Sequence, residues 1–155
     1  MPDGSPSLQF CLKDRAFRIV LPSSLIAVRQ ALVQLRVRLG PLNISDDLFG
    51  SIEIVLAEAL NNIVEHAYRD DEGVIELEIT HVDDQLIFRV VDDGLEMPGG
   101  QVPIGTIKDY PSDPERLPEG GFGWFLIHDL TNNLSYQRSG SRNILMFGFP
   151  LDISK

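Results

Sequence analysis

The segment 58–67 in the middle of the chain most constrains the fold. It continues an apolar pattern whose members recur at intervals of three and four residues: Leu48, Ile52, Val55, Leu56, Ala59, Ile63 and Ala67. Such spacing predicts a long helix with one face in a core. Glu58, Asn62 and His66 recur every four residues at the border of that face or just outside it, where a ligand can lie between helix and sheet. An ordinary core helix also has polar border residues, so the spacing alone leaves both interpretations open.

Alternating hydrophobicity, helix caps and Gly/Pro breakers predict the other elements. A first helix starts at Ser23 or Ser24, ends near residue 39, and buries Leu25, Val28, Leu32, Leu35 and Leu39. The central helix starts at Ser45, followed by two aspartates that favour a helix N-terminus, and ends near Tyr68. A last, short helix is predicted over 124–130. The predicted strands are 17–21, with 8–12 in the same ribbon, 74–81, 86–91, 134–138 and 143–149.

This order of elements predicts the fold class. Strands joined as hairpins, with the helices collected on one side, give an α+β fold: a two-layer sandwich of a mixed, mostly antiparallel sheet with helices on one face. The 155 residues fit a single domain over 1–155. The polar segment 1–7 is expected to be a disordered tail.

Composition excludes several kinds of function. The net charge is −10, from 13 basic and 23 acidic residues, which argues against a nucleic-acid-binding protein because phosphate contacts need a basic surface. Cys11 is the one cysteine, so neither an internal disulfide nor a cysteine metal cluster can form. The sequence has no apolar run of membrane-spanning length and no signal-peptide pattern. We therefore expect a cytoplasmic protein that binds neither nucleic acid nor membrane.

A long loop and a glycine motif precede the last helix. Prolines and glycines are scattered through 96–120, and loops of that length are uncommon in compact domains unless they are functional or disordered. We expect a lid over a ligand, with a short helical turn at 104–108; a flexible insertion is the alternative. Gly120-Gly121-Phe122-Gly123 then leads into the helix, and glycines at such a place let backbone N–H groups approach an anion.

Taken together, these motifs resemble the nucleotide-binding boxes of the GHKL ATPases, the superfamily that includes the histidine kinases. The set is Glu-x-x-x-Asn-x-x-x-His on a helix, an inner strand that ends in Asp92-Asp93-Gly94, a long lid, and Gly-x-Gly on a helix. Within the superfamily, the sequence is most similar to the anti-sigma-factor serine/threonine kinases, the RsbW-like proteins. The similarity extends over 17–149 and is strongest in 56–68 and 119–127. It implies the Bergerat ATPase fold, with 96–120 as the ATP lid.

The resemblance implies roles for the first box. Asn62 would hold the Mg²⁺ of MgATP, an ion that takes oxygen ligands and shares the nucleotide phosphates. Glu58, one turn earlier, would be the general base that takes the proton from an attacking serine or threonine hydroxyl. His66 matches the histidine that ends this box beside the nucleotide; a histidine packed at a helix end is the alternative.

The other two boxes would bind the base and the phosphates. By resemblance, Asp92 would accept a hydrogen bond from the adenine amino group, and Gly94 would let the base lie against the backbone. Gly121 and Gly123 would give N–H groups to the phosphates. The residues of the last box expected to contact the nucleotide are Gly120, Gly121, Phe122, Gly123 and Trp124.

One position departs from the family pattern. Many relatives have Asp-x-Gly-x-Gly in the second box, and here Glu96 replaces the second glycine. A carboxylate near a nucleotide can repel phosphate. Some small kinases of this type also lack that glycine and have a proline shortly after it, as Pro98 stands here. Arg116 in the lid can reach a γ-phosphate or can be a solvated lid residue.

The resemblance implies an ATP-dependent serine/threonine protein kinase that is also an anti-sigma factor. Its partners would be a STAS-domain antagonist, which it phosphorylates, and a sigma factor or equivalent target, which it sequesters; a homodimer is expected. The alternative is a binding module without kinase activity, which has no need for Glu58. A third hypothesis, a histidine-kinase catalytic domain, requires a phosphoacceptor helix, and none of His66, His81 and His128 lies on the first helix. P-loop and eukaryotic protein-kinase motifs are absent from the sequence.

Overall fold

The computed structural model describes residues 16–69, 71–103 and 121–151. The strands in that part of the chain are β1 (Ala16–Pro22), β2 (Val74–Val82), β3 (Gln85–Asp92), β4 (Asn132–Ser139) and β5 (Arg142–Pro150). The helices are α1 (Leu25–Leu39), α2 (Asp46–Asn62) and α3 (Gly121–Leu130). The predicted tail 1–7, ribbon 8–12, turn 104–108 and lid beyond 103 lie outside the described residues. A helix capable of spanning a bilayer is absent from the described residues.

The five strands form one sheet in the order β1-β2-β3-β5-β4. All neighbouring pairs are antiparallel, so the predicted α+β class is confirmed, whereas the mixed sheet is replaced by an antiparallel one. The reason is that β2–β3 and β4–β5 are hairpins. The crossover from β3 leads to β4, which is parallel to β3 but separated from it by β5. The register places Asp92, at the end of β3, between Ile75 of β2 and Asn143 of β5.

The core lies between one face of the sheet and the helices. Three phenylalanines of β3 and β5 form its centre: the Phe88 ring centroid lies 5.4 Å from that of Phe147 and 5.6 Å from that of Phe149. Most of the predicted stripe of α2 and its extension is buried there, and Phe49 and Leu60 join it. Leu48 and Ala67 are partly buried at its edges. The buried face of α2 is therefore wider than the predicted stripe.

The buried face of α1 differs from the prediction at its start. Leu25 is 51% exposed, because the core face is centred on Val28, Ala31 and Leu35 and Leu25 is turned about a quarter turn away. Small side chains take its place, since Ala27 and Ala31 are both buried. The predicted caps are present: Ser24 Oγ accepts the Ala27 N–H at 3.1 Å, and Ser45 Oγ accepts the Leu48 N–H at 3.1 Å.

Candidate functional site

The end of α2 widens into a π-helical turn, Ile63–Ala67. The turn closes with a hydrogen bond from the Tyr68 N–H to the Ile63 carbonyl at 3.0 Å. Single π-helical turns within helices are frequent at functional sites. The Ala67 carbonyl accepts the N–H of Leu95 at 2.8 Å, so the end of the helix is joined directly to the segment that follows β3.

Gly94 allows this contact between helix and strand end. A Cβ atom at position 94 would come 2.6 Å from the Ala67 carbonyl oxygen and 2.8 Å from the Ala67 Cβ, distances that real Cβ atoms essentially never show. The family resemblance implies a glycine here that leaves room for a base. The structure gives a further and independent reason for it, because the neighbouring group is the backbone of α2's extension.

Tyr68 makes a second connection at the same place. Its buried hydroxyl donates to the Val74 carbonyl at 2.7 Å and accepts the Asp93 N–H at 2.8 Å. The register pairs Ile75 with Asp92, so Val74 and Asp93 are the next residues of the two strands. The phenol therefore lies between β2 and β3 where their ladder ends. Burial raises the pKa of the Tyr68 hydroxyl, and the hydrogen bond from Asp93 acts in the opposite direction.

Asp92 is a buried carboxylate, only 5% exposed. Its Oδ1 accepts the Gly94 N–H at 2.8 Å and an Asn143 amide hydrogen at 2.8 Å. Burial raises the pKa of Asp92, whereas the hydrogen bonds from Asn143 and Gly94 lower it. The Asp93 charge raises it further, and the Arg138 charge lowers it. Both hydrogen bonds go to Oδ1, so Oδ2 has no hydrogen-bond donor among the described residues.

Three residues of β4 and β5 hold the segment after β3, and sequence reasoning missed them. We call Tyr136, Arg138 and Asn143 the Asn143 cluster. Asn143 is 4% exposed; its amide also donates to the Leu95 carbonyl at 2.9 Å, and its carbonyl accepts hydrogen bonds from Tyr136 and Arg138. The sequence contains one signal for this cluster. Asn143 lies on the same, inward-facing side of β5 as Leu145, Phe147 and Phe149, where a polar residue is unexpected.

A cavity of about 350 Å³ lies between the end of α2, the segment after β3 and α3. Its size falls within the usual range for small-molecule sites. Of the predicted site residues, Asn62, His66, Asp92 and Trp124 line it. The apolar part of the lining includes Ala59, Ile63, Leu95, Met97, Pro98, Pro103 and Leu145. The sequence therefore brings three predicted boxes to one cavity, although Glu58 and Gly94 are not among its lining residues.

Asn62 lines the cavity from the end of α2. Its Nδ2 is buried and has no hydrogen-bond partner among the described residues, a costly state for an amide. The two ends of an amide side chain are interchangeable by rotation, so Asn62 can equally present its oxygen to a cation. Clusters of three or more His, Cys, Asp or Glu side chains fit to hold a metal are absent from the described residues. Asn62 fits Mg²⁺ that takes its remaining ligands from phosphates and water.

Glu58 lies one turn before Asn62, half-buried, with its carboxylate directly against Gly123. The structure starts α3 at Gly121, so Gly121 and Gly123 lie within the first turn rather than ahead of the helix as predicted. Glycine is tolerated there because first-turn N–H groups have no partner within the helix. The same free N–H groups give a helix start its affinity for anions. Gly120 and Arg116 lie outside the described residues.

The segment between β3 and residue 103 also carries charge into the cavity. Glu96, the residue that departs from the family pattern, lines the cavity together with Arg69 and His66. Near the other end of this segment, His128 Nε2 of α3 lies 2.7 Å from the Pro103 carbonyl oxygen. The first part of the predicted lid therefore contacts α3 at Pro103, and Glu96 is the second carboxylate at the cavity, beside Asp92.

Comparison with known proteins gives a consistent result. The family described as histidine kinase-like ATPase domain matches residues 21–149. The chain is similar to the serine-protein kinases RsbW of Bacillus mycoides (strain KBAB4), 31% identical over 101 residues, and of Bacillus cereus (strain AH187), 31% identical over 97 residues. Each comparison covers 61% of this chain and 60% of the relative, so the chain spans about 60% of the length of these relatives.

One solved structure with a similar fold is that of the RsbU and RsbW domains of a Mycobacterium tuberculosis protein. The TM-score is 0.60 at 17% sequence identity, and the match covers 88% of this chain and 32% of that chain. At that identity, the likeness concerns the fold alone.

Proposed function

The chain is a member of the histidine kinase-like ATPase domain family, and on that basis we propose that its cavity binds ATP with Mg²⁺ for phosphoryl transfer to a serine or threonine of a partner protein. The observation that carries the proposal is the presence of two incompletely paired polar groups in one cavity, Asn62 Nδ2 and the Asp92 carboxylate. Buried polar groups in folded proteins are nearly always satisfied, so a bound ligand is a natural source of the partner that Asn62 Nδ2 lacks among the described residues.

Asp92 is suited to a base with an amino group. Its Oδ1 is occupied by two donors, and its Oδ2 remains as an acceptor. Oδ2 can accept a hydrogen bond from the adenine amino group, whereas guanine has a carbonyl oxygen, which cannot donate, at the corresponding position. Ile63, Met97 and Leu145 line the same cavity and offer apolar surface to the faces of a purine. We therefore expect ATP to bind in preference to GTP.

Asn62 and Glu58 are suited to the phosphate end. Asn62 would hold Mg²⁺, and the bound ion supplies charge neutralisation at the phosphates. Glu58 precedes it by one helical turn, which places both side chains on the same side of α2. A carboxylate there can take the proton from a serine or threonine hydroxyl, while the first-turn N–H groups of α3 bind phosphate oxygens.

The partners are inferred from the relatives. The similar Bacillus proteins are named serine-protein kinases RsbW, and we propose the same activity for this chain, with a STAS-domain antagonist as substrate. We further propose that the chain acts as an anti-sigma factor that sequesters a sigma factor or an equivalent target, and that it works as a homodimer.

A second function is favoured by one observation, the Glu96 carboxylate at the cavity. Negative charge near the phosphates weakens nucleotide binding. A chain that retains the fold but binds nucleotide poorly would act as a regulatory binding module without kinase activity. The two functions differ in whether Glu58 matters, because only the kinase needs a general base.

Calorimetric titration of MgATP into the wild type, Asn62→Ala and Glu58→Gln tests the proposal. We expect binding by the wild type, its loss in Asn62→Ala, and its retention in Glu58→Gln, which changes the charge and keeps the shape of the side chain. Transfer of labelled phosphate to purified STAS-domain proteins is then expected for the wild type and not for Glu58→Gln. Absence of ATP binding at millimolar concentration would overturn the kinase proposal. Normal phosphate transfer by Glu58→Gln would show that Glu58 is not the general base.

A further inference from the structure

Arg138 of β4 reaches the segment after β3 without lining the cavity. Its Nη1 donates to the Gly94 carbonyl at 2.8 Å and to Asn143 Oδ1 at 3.0 Å, and its Nε donates to the Gly140 carbonyl at 3.1 Å. Charged donors of this kind form stronger hydrogen bonds than neutral ones. Arg138 is half-buried as a residue, and its two bonds through Nη1 are partly buried, so solvent competes with those two bonds only in part.

These contacts fix the orientation of the Asn143 side chain. Its Oδ1 accepts hydrogen bonds from Tyr136 and Arg138, while its Nδ2 faces Asp92 Oδ1 at 2.8 Å and the Leu95 carbonyl at 2.9 Å. A rotated amide would place its oxygen against those two oxygens and its nitrogen against the Arg138 donor. Arg138 therefore acts together with these two acceptors to hold Asn143 in the orientation in which it donates to Asp92.

Through Asn143, the position of Asp92 depends on Arg138. Asp92 Oδ1 is held by Asn143 and by the Gly94 N–H, and the Gly94 carbonyl is held in turn by Arg138. Both donors to Oδ1 thus lead back to the same guanidinium. The consequence is that Oδ2 keeps the orientation in which a base can use it.

We propose that Arg138 is a positioning residue for nucleotide binding, which acts through Asn143 and the Gly94 carbonyl to orient Asp92 in the cavity. The proposal rests on the proposed function and adds to it a residue that touches no part of the nucleotide. It explains why an arginine lies on the inward side of an edge strand, where its burial is otherwise unfavourable.

Arg142 provides a matched control in the same hairpin. Its Nε lies 3.5 Å from Asp93 Oδ1, so it carries the same charge close to the same segment. Its side chain is 49% exposed, and that of Asp93 is 57% exposed. Arg142 makes no hydrogen bond to Asp92, Gly94 or Asn143 in the described part of the chain, so its loss leaves the Asn143 cluster unchanged.

The test compares Arg138→Met, Arg138→Lys and Arg142→Met with the wild type. Dissociation constants are measured by calorimetry for MgATP and for adenosine, which has no phosphate. For Arg138→Met we expect a loss of affinity of about tenfold or more. The loss should be equal for the two ligands, because the substitution affects the binding of the base that both contain. Arg142→Met should bind both ligands within twofold of the wild type. Arg138→Lys should recover part of the affinity, since one ammonium can still donate to the Gly94 carbonyl.

A spectroscopic measurement on the free protein accompanies the binding data. The side-chain amide signals of Asn143 in a nitrogen–proton correlation spectrum should be protected from solvent exchange in the wild type and in Arg142→Met, and should exchange rapidly in Arg138→Met. This readout needs no ligand, so it separates the state of the Asn143 cluster from nucleotide binding.

Several outcomes would overturn the proposal. One is a folded Arg138→Met protein that binds both ligands within twofold of the wild type, and another is an equal loss in Arg142→Met. If Arg138→Met fails to fold, Arg138→Lys decides: wild-type affinity and exchange would reject the proposal, and weakened binding of both ligands would support it. If the wild type binds neither ligand, the proposed function itself fails, and this proposal fails with it.

Discussion

The carboxylate of Glu58 on α2 lies directly against Gly123 in the first turn of α3, so closely that a Cβ atom at position 123 would overlap Glu58 Oε2. The overlapping atom is the end of a flexible side chain, which can rotate away. We expect Gly123→Ala to fold normally, because alanine is also the better helix former by about 1 kcal/mol. Its effect should instead be to displace Glu58 and to lower the phosphoryl-transfer rate at saturating ATP by about tenfold or more.

The measurement is the initial rate of phosphate transfer to a STAS-domain substrate, with the melting temperature as a check on folding. Glu58→Gln is the reference, because it removes the same group directly. Combining the two substitutions should give no further loss. A full transfer rate in Gly123→Ala would mean that the position of Glu58 against α3 is not needed for catalysis.

Gly94 differs from Gly123 in that its neighbours cannot rotate away. In Gly94→Ala the new methyl group would meet the backbone of Ala67 at 2.6–2.7 Å, so we expect a loss of about 1–3 kcal/mol in the free energy of unfolding. Gly50, in the interior of α2, is the control: a Cβ there meets nothing within 4 Å. Gly50→Ala should be stabilising by about 0.5–1 kcal/mol. Urea denaturation of both variants gives the two values, and equal effects of the same sign would contradict the packing argument.

Tyr68→Phe removes the hydroxyl between β2 and β3. The Val74 carbonyl and the Asp93 N–H then lose their common partner, and we expect destabilisation of about 1–3 kcal/mol. Amide exchange should locate the effect, with faster exchange at Asp93 and unchanged exchange at Leu95, which is held by Ala67. If the strands instead close and pair directly, the free energy of unfolding will be unchanged, and Tyr68 will have no structural role of this kind.

Asp92 should give a pH dependence of stability with an unusual sign for a carboxylate. Burial raises its pKa in the folded state above the ordinary value of 3.8, so the folded protein holds this proton to a higher pH than the unfolded chain does. The stabilisation that comes from binding this proton is fully present below pH 3.8 and is lost as pH rises through the folded-state pKa of Asp92. At neutral pH, the buried charge therefore opposes folding.

The variant Asp92→Asn tests this sign. We expect it to be more stable than the wild type at pH 7, with a difference that shrinks as pH falls towards 4, and to bind ATP weakly because the acceptor charge is gone. Urea denaturation across this pH range measures the difference. If the wild type instead becomes more stable relative to Asp92→Asn as pH rises, the hydrogen bonds from Asn143 and Gly94 lower the pKa of Asp92 by more than burial raises it.

Much of the site was predictable because its parts are local patterns. The spacing of Asn62 and His66 on a helix, and the acidic residue that ends an inner strand, can be read from neighbouring residues. These residues do line one cavity with Trp124. The predicted start of α3 at residue 124 is three residues late, because glycines are typical of turns although they are also tolerated in a first helical turn.

The supporting contacts were not predictable, because they depend on register. Asn143 contacts Asp92 because β3 and β5 are neighbours in the sheet and their register pairs these two residues directly. The reason for Gly94 lies in the helix end at Ala67, which a strand-and-turn pattern does not reveal. Likewise, Leu25 fits the apolar spacing of α1 and is nevertheless exposed, since the alanines that replace it in the core are weak hydrophobic signals.

The contact between Ala67 and Gly94 also limits how such a site can diverge. The side chain that would hold the metal and the side chain that would bind the base belong to two elements that are hydrogen-bonded to each other through Ala67 and Tyr68 and that pack closely at Gly94. A lineage that acquires a larger residue at position 94 must first move the end of α2, and Asn62 moves with it. Changes in ligand preference are therefore easier to acquire at positions such as Glu96, which borders the cavity without taking part in that contact.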